Sequence, residues 1–299
     1  MKLDKNLTIQ LRAKTFNFAS FFLPRKIKKD IENLYIFCRY LDDIGDDKNI
    51  IKKKSIQKLN QIKKEILKKK TKNFIIMNFI QLQNKYNIEN KCVLHLINGI
   101  KSDLKETVDI KDEKELIFYC YSVAGTVGYM FCKIINITDR DLFLRAIQLG
   151  IAMQRTNISR DIKEDLELNR IYLPKKMREF KGKKEKILKN KFLKQKISNS
   201  LYKFLIKTDS YYLNSWNGIN KLPFRYSLSI GIAAELYQRI GIKIMKKNCN
   251  IWDERVHLKF LEKIFYTFSA IKKLFFVNKN IEEKIDSECN LLLKKIKIL

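Results

Sequence analysis

The chain has 299 residues, of which 45% are apolar and 11% aromatic, so it can bury a large core in one domain or at most two, and its composition argues against disorder. It contains only 9 glycines and 3 prolines, so we expect long helices and an all-α fold. The net charge of +30 favours an anionic partner such as nucleic acid, anionic lipid or a phosphorylated substrate. However, abundant Ile and Asn beside the lysines indicate a compositional bias that spreads lysine over every solvated face.

Apolar residues at helical spacing predict a series of helices. After an apolar segment at 7–23, the predicted helices cover 27–46, the lysine-rich 48–72, 74–104 as one or two helices, 115–135, 139–169, 199–216, 224–247 and the residues up to about 276. A connection of mixed charge lies at 105–114, and the basic run at 181–198 is interpreted as the solvated face of a helix. We divide the chain into a domain at 1–277 and a basic amphipathic tail at 278–299.

Six cysteines form no Cys-x-x-Cys pair, so we expect buried thiols in a reducing, cytoplasmic compartment. The N-terminal residues lack the apolar core of a signal peptide. Residues 116–132 are uncharged and just long enough to span a membrane, but the small residues at 124, 125 and 128 favour a buried central helix with room for a cavity beside it. The tail at 278–299 is suited to lie on the anionic inner face of a membrane.

Residues 33–47, NLYIFCRYLDDIGDD, place aspartates at the end of an apolar helical stripe. Steps of three and four along the stripe lead to Asp42 and Asp46, so both lie on the face that we expect to be buried, with Arg39 on the same side. Two carboxylates about 6 Å apart repel by ~3 kcal/mol at an effective dielectric of 20, so a cation is expected there. Mg²⁺ fits because it combines a few carboxylates with substrate phosphates. The alternative is a frayed, solvated helix end, since Gly45 and a lysine-rich stretch follow.

A second acidic stretch, NISRDIKED, occupies residues 157–165. An apolar stripe through Ile151 and Ile158 leads to Asp161 and Asp165, with Asn157 on the same side. Since both stretches continue a face that should be buried, we expect them to face each other and to hold Mg²⁺, which in turn holds a diphosphate.

Three motifs in this chain resemble those of the squalene/phytoene synthase family, the head-to-head prenyltransferases. The first is FCRYLDDIGDD at 37–47, the second is YCYSVAGTVG at 119–128, and the third is AMQRTNISRDIKED at 152–165 with NRIYLP at 169–174. Their order and separations also agree, and weaker similarity covers roughly residues 10–272. The resemblance implies a single all-α, isoprenoid-synthase-like domain around a central cavity, with the acidic motifs on opposing helices at its mouth.

The resemblance also implies roles for individual residues. Mg²⁺ ligands are implied at Asp42, Asp46, Asn157, Asp161 and Asp165, and a catalytic role is implied for these four aspartates together with Tyr119. Contacts with the prenyl diphosphate are implied for Arg12, Ala13, Lys14, Thr15, Tyr35, Arg39, Tyr119, Gln154, Arg160, Tyr237 and Arg255. The family often has a serine where Ala13 stands, so a hydroxyl contact is missing there. For Tyr119 the alternative is a core tyrosine with a satisfied hydroxyl.

The implied reaction condenses two identical prenyl diphosphates to a cyclopropyl diphosphate, which then ionises, rearranges and loses a proton or accepts a hydride. The VAGTVG and AMQRTNISRD segments look most like bacterial phytoene synthases, which implies geranylgeranyl diphosphate as substrate and phytoene, a carotenoid precursor, as product. The alternative within the family converts farnesyl diphosphate to presqualene diphosphate, squalene or dehydrosqualene.

Three other classes of protein compete with this interpretation. A nucleic-acid binder would explain the charge but not the aspartates that continue two apolar stripes, and we find no aromatic-basic recognition motif. A di-iron bundle needs two Glu-x-x-His motifs, and only Glu254 to His257 has that spacing. A non-catalytic relative that acts as an assembly factor would be expected to lose motif aspartates, which are intact here.

Overall fold

The structure, a computed structural model, describes residues 18–19, 21–47, 50–178 and 184–276. In this part the α-helices are α1 (Arg25–Asp46), α2 (Lys52–Leu67), α3 (Phe74–Lys85), α4 (Asn90–Ser102), α5 (Glu113–Cys120), α6 (Thr126–Ile134), α7 (Arg140–Arg160), α8 (Ile162–Glu167), α9 (Lys184–Lys189), α10 (Lys191–Ile219), α11 (Phe224–Lys246) and α12 (Phe260–Phe276). A π-helical turn (Tyr121–Gly125) joins α5 to α6, and the strands β1 (Val108–Asp109) and β2 (Arg170–Ile171) pair in parallel. The predicted all-α fold is confirmed.

Polar side chains and prolines fix where several of these helices begin. Helix caps accept hydrogen bonds from backbone amides of the first turn, and they are Asn73 for α3, Asp112 for α5, Asp139 for α7 and Asn190 for α10. Pro24 and Pro223 directly precede α1 and α11. Because proline has no amide hydrogen and breaks helix interiors, it favours the start of a helix.

Two predicted helix boundaries were wrong. The helix predicted over 139–169 is interrupted at Asp161, whose backbone (φ −106°, ψ 14°) ends α7 and precedes α8. The basic residues 191–198 belong to the first turns of α10, which runs for 29 residues rather than starting near 199. The connection at 105–114 contributes β1, so it pairs with the segment that follows α8.

The rod formed by α5, the π-helical turn and α6 is the central helix predicted at 115–135. By length and composition it is apolar enough to cross a membrane, but most of it is buried inside the protein. Its middle and C-terminal parts pack against α4 and α7. The rod is therefore a core helix of this fold.

Glycines let the central rod and α7 approach closely. A Cβ added at Gly128 would overlap the carbonyl oxygen of Ala146, and one added at Gly150 would overlap that of Ala124. The space predicted beside the small residues is therefore used largely for contact between helices. Ala124 and Gly128 also line an apolar cavity, so the expectation of a cavity beside this helix holds as well.

The side chain of Arg155 is fully buried and joins α7 to α5 and α10. Its Nη1 donates to Glu113 Oε1 at 2.5 Å, its Nε donates to Thr208 Oγ1 at 3.0 Å, and its guanidinium lies 4.1 Å from the ring centroid of Phe204. Because an unpaired buried charge is costly, these contacts fix the rotation of α7 about its axis. Asn157, two residues later, consequently lies on the opposite side of the helix.

The five cysteines in the described part of the chain form no disulfide, and all but the half-buried Cys38 are buried, which agrees with the expected free thiols. Cys289, the segment from Arg12 to Thr15 and the tail at 278–299 lie outside the described residues. The proposed domain boundary after residue 277 therefore stays a prediction.

Replacing Gly128 by alanine should lower the free energy of unfolding by about 1–3 kcal/mol, because the new methyl group meets backbone that must shift. Gly241→Ala is the matched control, since the added Cβ would meet only Leu205 Cδ2, at 3.2 Å, and alanine has the higher helix propensity. Urea unfolding followed by circular dichroism measures both variants. An equal loss of stability in the two would contradict the close packing of α6 on α7.

Candidate active site

A cavity of about 880 Å³ opens between the C-terminal half of α1 and the junction of α7 and α8. The structure brings every sequence-predicted site residue in its described part to the wall of this cavity, namely Tyr35, Arg39, Asp42, Asp46, Tyr119, Gln154, Asn157, Arg160, Asp161, Asp165, Tyr237 and Arg255. The other four, Arg12, Ala13, Lys14 and Thr15, lie outside the described residues. The two acidic stretches therefore share one cavity, although they are more than a hundred residues apart in the chain.

The first acidic stretch presents two carboxylates in different environments. Burial raises the pKa of the Asp42 carboxyl to about 7, Arg39 opposes this rise, and the charge of Asp46 adds to it. The predicted burial of Asp46 was wrong, since 52% of its side chain is exposed and Arg170 Nη1 donates to it at 2.9 Å. Arg39 lies on the predicted side but donates to Asp43 at 2.5 Å. The apolar stripe of α1 thus ends near Asp42, and Asp46, one turn later, already lies at the open mouth of the cavity.

In the second stretch, Asp161 is held by two arginines. Its Oδ1 accepts from Arg160 Nε at 2.7 Å and from Arg255 Nε at 2.8 Å, and its Oδ2 accepts from the Nη2 atoms of the same two residues. Burial alone would raise the pKa of Asp161, but the hydrogen bonds and charges of these arginines outweigh it and lower the pKa. This cluster lies where α7 ends, so the helix break places Arg160 and Asp161 at the cavity wall, and Arg255 reaches them from the connection between α11 and α12.

Asp165 and Asn157 are the other two candidate ligands in the second stretch. Burial, followed by the negative charge of Asp161, holds the pKa of Asp165 well above its usual range. Asn157 donates from Nδ2 to Gln154 Oε1 at 3.3 Å, while its Oδ1 is buried with no hydrogen-bond partner among the described residues. A buried amide oxygen without a partner is costly, so this atom is suited to accept a ligand.

Several residues of the cavity wall were not assigned from the sequence, among them the polar residues Asp103, Arg170, Tyr172, His257 and Lys263. Arg170 donates to the carbonyl oxygens of Gly45 at 3.2 Å and Asp103 at 3.3 Å, so it ties β2 to the end of α1 and to the residue that follows α4. The NRIYLP motif was an available signal for Arg170 and Tyr172. Asp103 falls near the end of the segment 74–104 that was predicted to be helical, and no comparable sequence signal marks it.

Tyr119 is both a buried tyrosine and part of the cavity wall. Its hydroxyl donates to Asp103 Oδ2 at 3.0 Å, and its ring stacks on that of Tyr172 with the centroids 4.6 Å apart. Tyr172 donates to the other oxygen of Asp103 at 2.7 Å. Burial raises the pKa of Asp103 to about 6, although Arg170 and the two tyrosine hydroxyls oppose this rise. The hydroxyl of Tyr119 is therefore satisfied, as the alternative interpretation expected, and at the same time oriented by a carboxylate.

An apolar compartment of about 310 Å³ adjoins the polar cavity. Most of its wall is aliphatic or aromatic, as at Leu34, Phe131 and Leu149. The two spaces share wall residues, namely Tyr35, Cys38, Asp42, Val123, Gln154, Asn157 and Tyr237. A ligand with a charged head and an apolar chain therefore has a matching surface for each part within one continuous site.

The donor set of the polar cavity fits Mg²⁺. Among the described residues, no group of three or more carboxylate, histidine and cysteine side chains is close enough to hold a metal ion by itself. The raised pKa values of Asp42 and Asp165 nevertheless indicate negative charge that the nearby arginines compensate only in part. Asn157 adds a buried oxygen that has no partner in the described part of the chain. Mg²⁺ binds one or two carboxylates and completes its shell with water and substrate phosphate, so an open set of oxygens suits it.

Residues 9–262 match the family model described as squalene/phytoene synthase. The chain belongs to this family. Similar curated proteins include the 15-cis-phytoene synthase of Pantoea ananas, which is 27% identical over 274 residues that cover 88% of each chain. The phytoene synthase of Pseudescherichia vulneris is 26% identical over 86% of this chain and 87% of the relative.

Solved structures of similar proteins share the fold. A dehydrosqualene synthase in complex with a ligand superposes with a TM-score of 0.76 at 22% identity, and the match covers 90% of this chain and 94% of that one. The squalene synthase of Alicyclobacillus acidocaldarius gives a TM-score of 0.69 at 19% identity over 82% of this chain and 93% of that one. These neighbours support the isoprenoid-synthase-like helical architecture.

Without metal, Asp42→Asn should raise the midpoint of thermal unfolding at about pH 8. The pKa of the Asp42 carboxyl is about 7 in the folded protein and has its ordinary lower value in the unfolded chain. Ionised Asp42 therefore lowers the free energy of unfolding by about 1–2 kcal/mol after allowance for solvent in the cavity. Between these pKa values the folded state binds more protons than the unfolded state. The wild type therefore gains stability as the pH falls through about 7 towards 5, and the advantage of the variant shrinks.

Calorimetry in EDTA at about pH 8 and about pH 5.5 tests this dependence. Asp43→Asn is the control, because Asp43 is half-exposed and pairs with Arg39. A gain of the same size at both pH values, or an equal gain in the control, would contradict the burial of an ionised Asp42.

Proposed function

We propose that this protein is a phytoene synthase, which condenses two molecules of geranylgeranyl diphosphate to phytoene in carotenoid biosynthesis. The observation that carries the proposal is that all three family motifs line one polar cavity that continues into an apolar compartment. The names of the similar proteins from Pantoea ananas and Pseudescherichia vulneris support the choice of reaction. The intact acidic motifs favour an enzyme over a non-catalytic assembly factor.

The diphosphate heads bind in the polar cavity and the prenyl chains enter the apolar compartment. Arg39, Arg160 and Arg255 supply positive charge at the cavity wall. Arg160 and Arg255 are held by Asp161 in the structure, so a diphosphate that binds both arginines takes the place of Asp161 as their partner. Asp161 then becomes available as a ligand.

We propose that Asp42, Asp46, Asn157, Asp161 and Asp165 hold Mg²⁺ together with the diphosphate. Bound Mg²⁺ supplies Lewis-acid neutralisation of the charge that develops on the leaving diphosphate. The arginines add to this effect by hydrogen bonding to phosphate oxygens that gain charge as the allylic bond breaks. The arrangement explains why so many carboxylates share one cavity.

The first half of the reaction releases one diphosphate and one proton and forms a cyclopropyl diphosphate. The second half releases the other diphosphate, and loss of a proton gives phytoene. Because both halves pass through carbocations, the apolar compartment serves to exclude water from them. Tyr119 donates a hydrogen bond to Asp103, which orients its hydroxyl oxygen to steady a cation in the cavity.

Product analysis tests the proposed reaction. The purified protein is incubated with Mg²⁺ and either geranylgeranyl or farnesyl diphosphate, without NADPH, and the extract is analysed by mass spectrometry. We expect a forty-carbon hydrocarbon from the first substrate. A thirty-carbon product or presqualene diphosphate from the second would instead assign the protein to the squalene branch, and the absence of both product and diphosphate binding would favour the non-catalytic alternative.

Asp42→Ala and Asp161→Ala should both abolish turnover, with a loss of at least about 10³-fold in kcat, but they should differ in stability. Without metal, Asp42→Ala should keep or raise the unfolding midpoint because it removes an uncompensated charge. Asp161→Ala should lower the midpoint, since it leaves Arg160 and Arg255 without their carboxylate. Activity assays and calorimetry on both variants measure this contrast. Full activity in either variant would contradict the proposed role of that aspartate as a Mg²⁺ ligand.

We further propose a cytoplasmic enzyme that associates peripherally with the inner face of the membrane. The net charge of +30 and the basic amphipathic tail at 278–299 support contact with anionic lipid. The substrate and product both carry long hydrocarbon chains, so a membrane is the natural place to receive and release them.

A further inference from the structure

The outward face of α12 is apolar. Residues Leu261, Phe265, Phe268, Lys272 and Phe275 follow one another at spacings of four and three, so they form one stripe of the helix. The exposed fractions are 77% for Leu261, 68% for Phe265, 66% for Phe268 and 66% for Phe275. A surface helix of a water-soluble domain normally turns polar residues outwards, so this helix is reversed.

The inward face of the same helix is comparatively polar. Lys263, Thr267 and Ala270 are its buried residues. Lys273 Nζ donates to the fully buried Glu235 at 2.6 Å, and Ser269 Oγ donates to the same carboxylate at 2.9 Å. Ion pairs and hydrogen bonds therefore contribute to holding α12 on α11, while most of its large apolar side chains remain exposed.

The stripe continues onto α11. The ring of Phe275 lies 6.1 Å from that of Phe224, at the first residue of α11, where 57% of Phe224 is exposed. We call Leu261, Phe265, Phe268, Phe275 and Phe224 together the aromatic face. Neighbouring apolar side chains of this extent mark an interaction site, whereas scattered exposed ones are ordinary.

One end of the aromatic face, at Phe224, lies close along the chain to the wall of the apolar compartment. Leu222 lines that compartment, and Phe224 follows it by two residues. Leu23 also lines it, and Phe21, two residues earlier, is exposed. The chain segments that enclose the hydrocarbon site thus emerge at the surface as exposed phenylalanines.

Basic side chains accompany the aromatic face. Lys272 lies within the stripe and Arg225 follows Phe224, and both are exposed. Lys221, three residues before Phe224, is also exposed but pairs with Asp141 at 3.4 Å. Within α12 the acidic residue Glu262 is half-buried and paired with Lys243 at 2.7 Å. Aromatic side chains flanked by lysine and arginine match an anionic lipid surface, in which apolar groups insert and cations meet phosphate groups. A second copy of this chain would instead bring like charges together.

We propose that the aromatic face docks on the surface of an anionic lipid membrane, so that the apolar compartment lies against the bilayer. Only the purpose of this docking, the transfer of hydrocarbon chains between the active site and the bilayer, rests on the proposed function. Docking itself requires no substrate, so it is measured separately from catalysis.

Co-flotation of the full chain with vesicles of phosphatidylcholine and phosphatidylglycerol tests the docking. The double variant Phe265→Asp/Phe268→Asp should partition at least about tenfold less than the wild type, since it removes two inserting rings and adds negative charge. The matched control is Phe74→Asp/Phe192→Asp, which makes the same changes at side chains that are 69% and 67% exposed on α3 and α10. Equal binding by the two double variants would overturn the proposal. So would wild-type binding that is as strong to vesicles of phosphatidylcholine without phosphatidylglycerol.

A tryptophan in place of Phe268 reports what covers the face before lipid is added. We expect its fluorescence to be quenched by acrylamide in solution and to become protected when the vesicles are added. Protection without vesicles at every protein concentration would show that another part of this chain covers the face, and concentration-dependent protection would show self-association. Either result would overturn the membrane proposal.

The product assay in detergent separates this proposal from the proposed function. Phe265→Asp/Phe268→Asp should form product at the wild-type rate in detergent micelles, because neither residue lines the catalytic cavity. A protein that floats with vesicles but makes no product would refute the proposed reaction and leave the docking intact. A variant that loses activity in detergent to the same extent as vesicle binding would show misfolding and count against the docking.

Discussion

The burial of several carboxylates together in one cavity of about 880 Å³, to which their mutual repulsion adds, is the constraint on which the rest of the site depends. Asp42 and Asp165 retain carboxyl pKa values raised by burial, while Asp46 and Asp161 are neutralised by arginines. A fold that concentrates negative charge in this way is at its most stable when a cation arrives. Binding of metal and diphosphate and stability of the fold are therefore linked through the same few side chains.

Several elements serve to hold these charges in place. The buried Arg155 fixes the rotation of α7, and the end of α7 at Asp161 presents the Arg160–Asp161–Arg255 cluster to the cavity. The short β1–β2 pairing brings Arg170 against the end of α1. Local breaks in an otherwise helical chain thus occur where the acidic groups must be positioned, since a continuous helix would carry Asp161 and Asp165 further along a single axis.

A second constraint, close helix packing around an apolar compartment, shapes the apolar part of the molecule. Close packing at Gly128 and Gly150 joins the central rod to α7, and the space left beside them forms the apolar compartment. The compartment's wall continues to the surface near Phe224, where the reversed helix α12 exposes its phenylalanines. A hydrocarbon substrate links these features, because it needs both a dry interior and an apolar route to and from the bilayer.

The sequence by itself determined the all-α fold and the two acidic helix ends, because helical spacing and carboxylate chemistry are local properties of the chain. The other residues that meet in the cavity were indicated by the resemblance of its motifs to the squalene/phytoene synthase family. Only the tertiary structure decided that Asp46 is exposed, that Asp161 interrupts a helix, and that Asp103 joins Tyr119. These features depend on contacts between residues far apart in the chain. Which face of α12 is exposed could not be predicted for the same reason. A stripe of phenylalanines predicts a buried face, and only the packing on α11 shows that this stripe faces outwards.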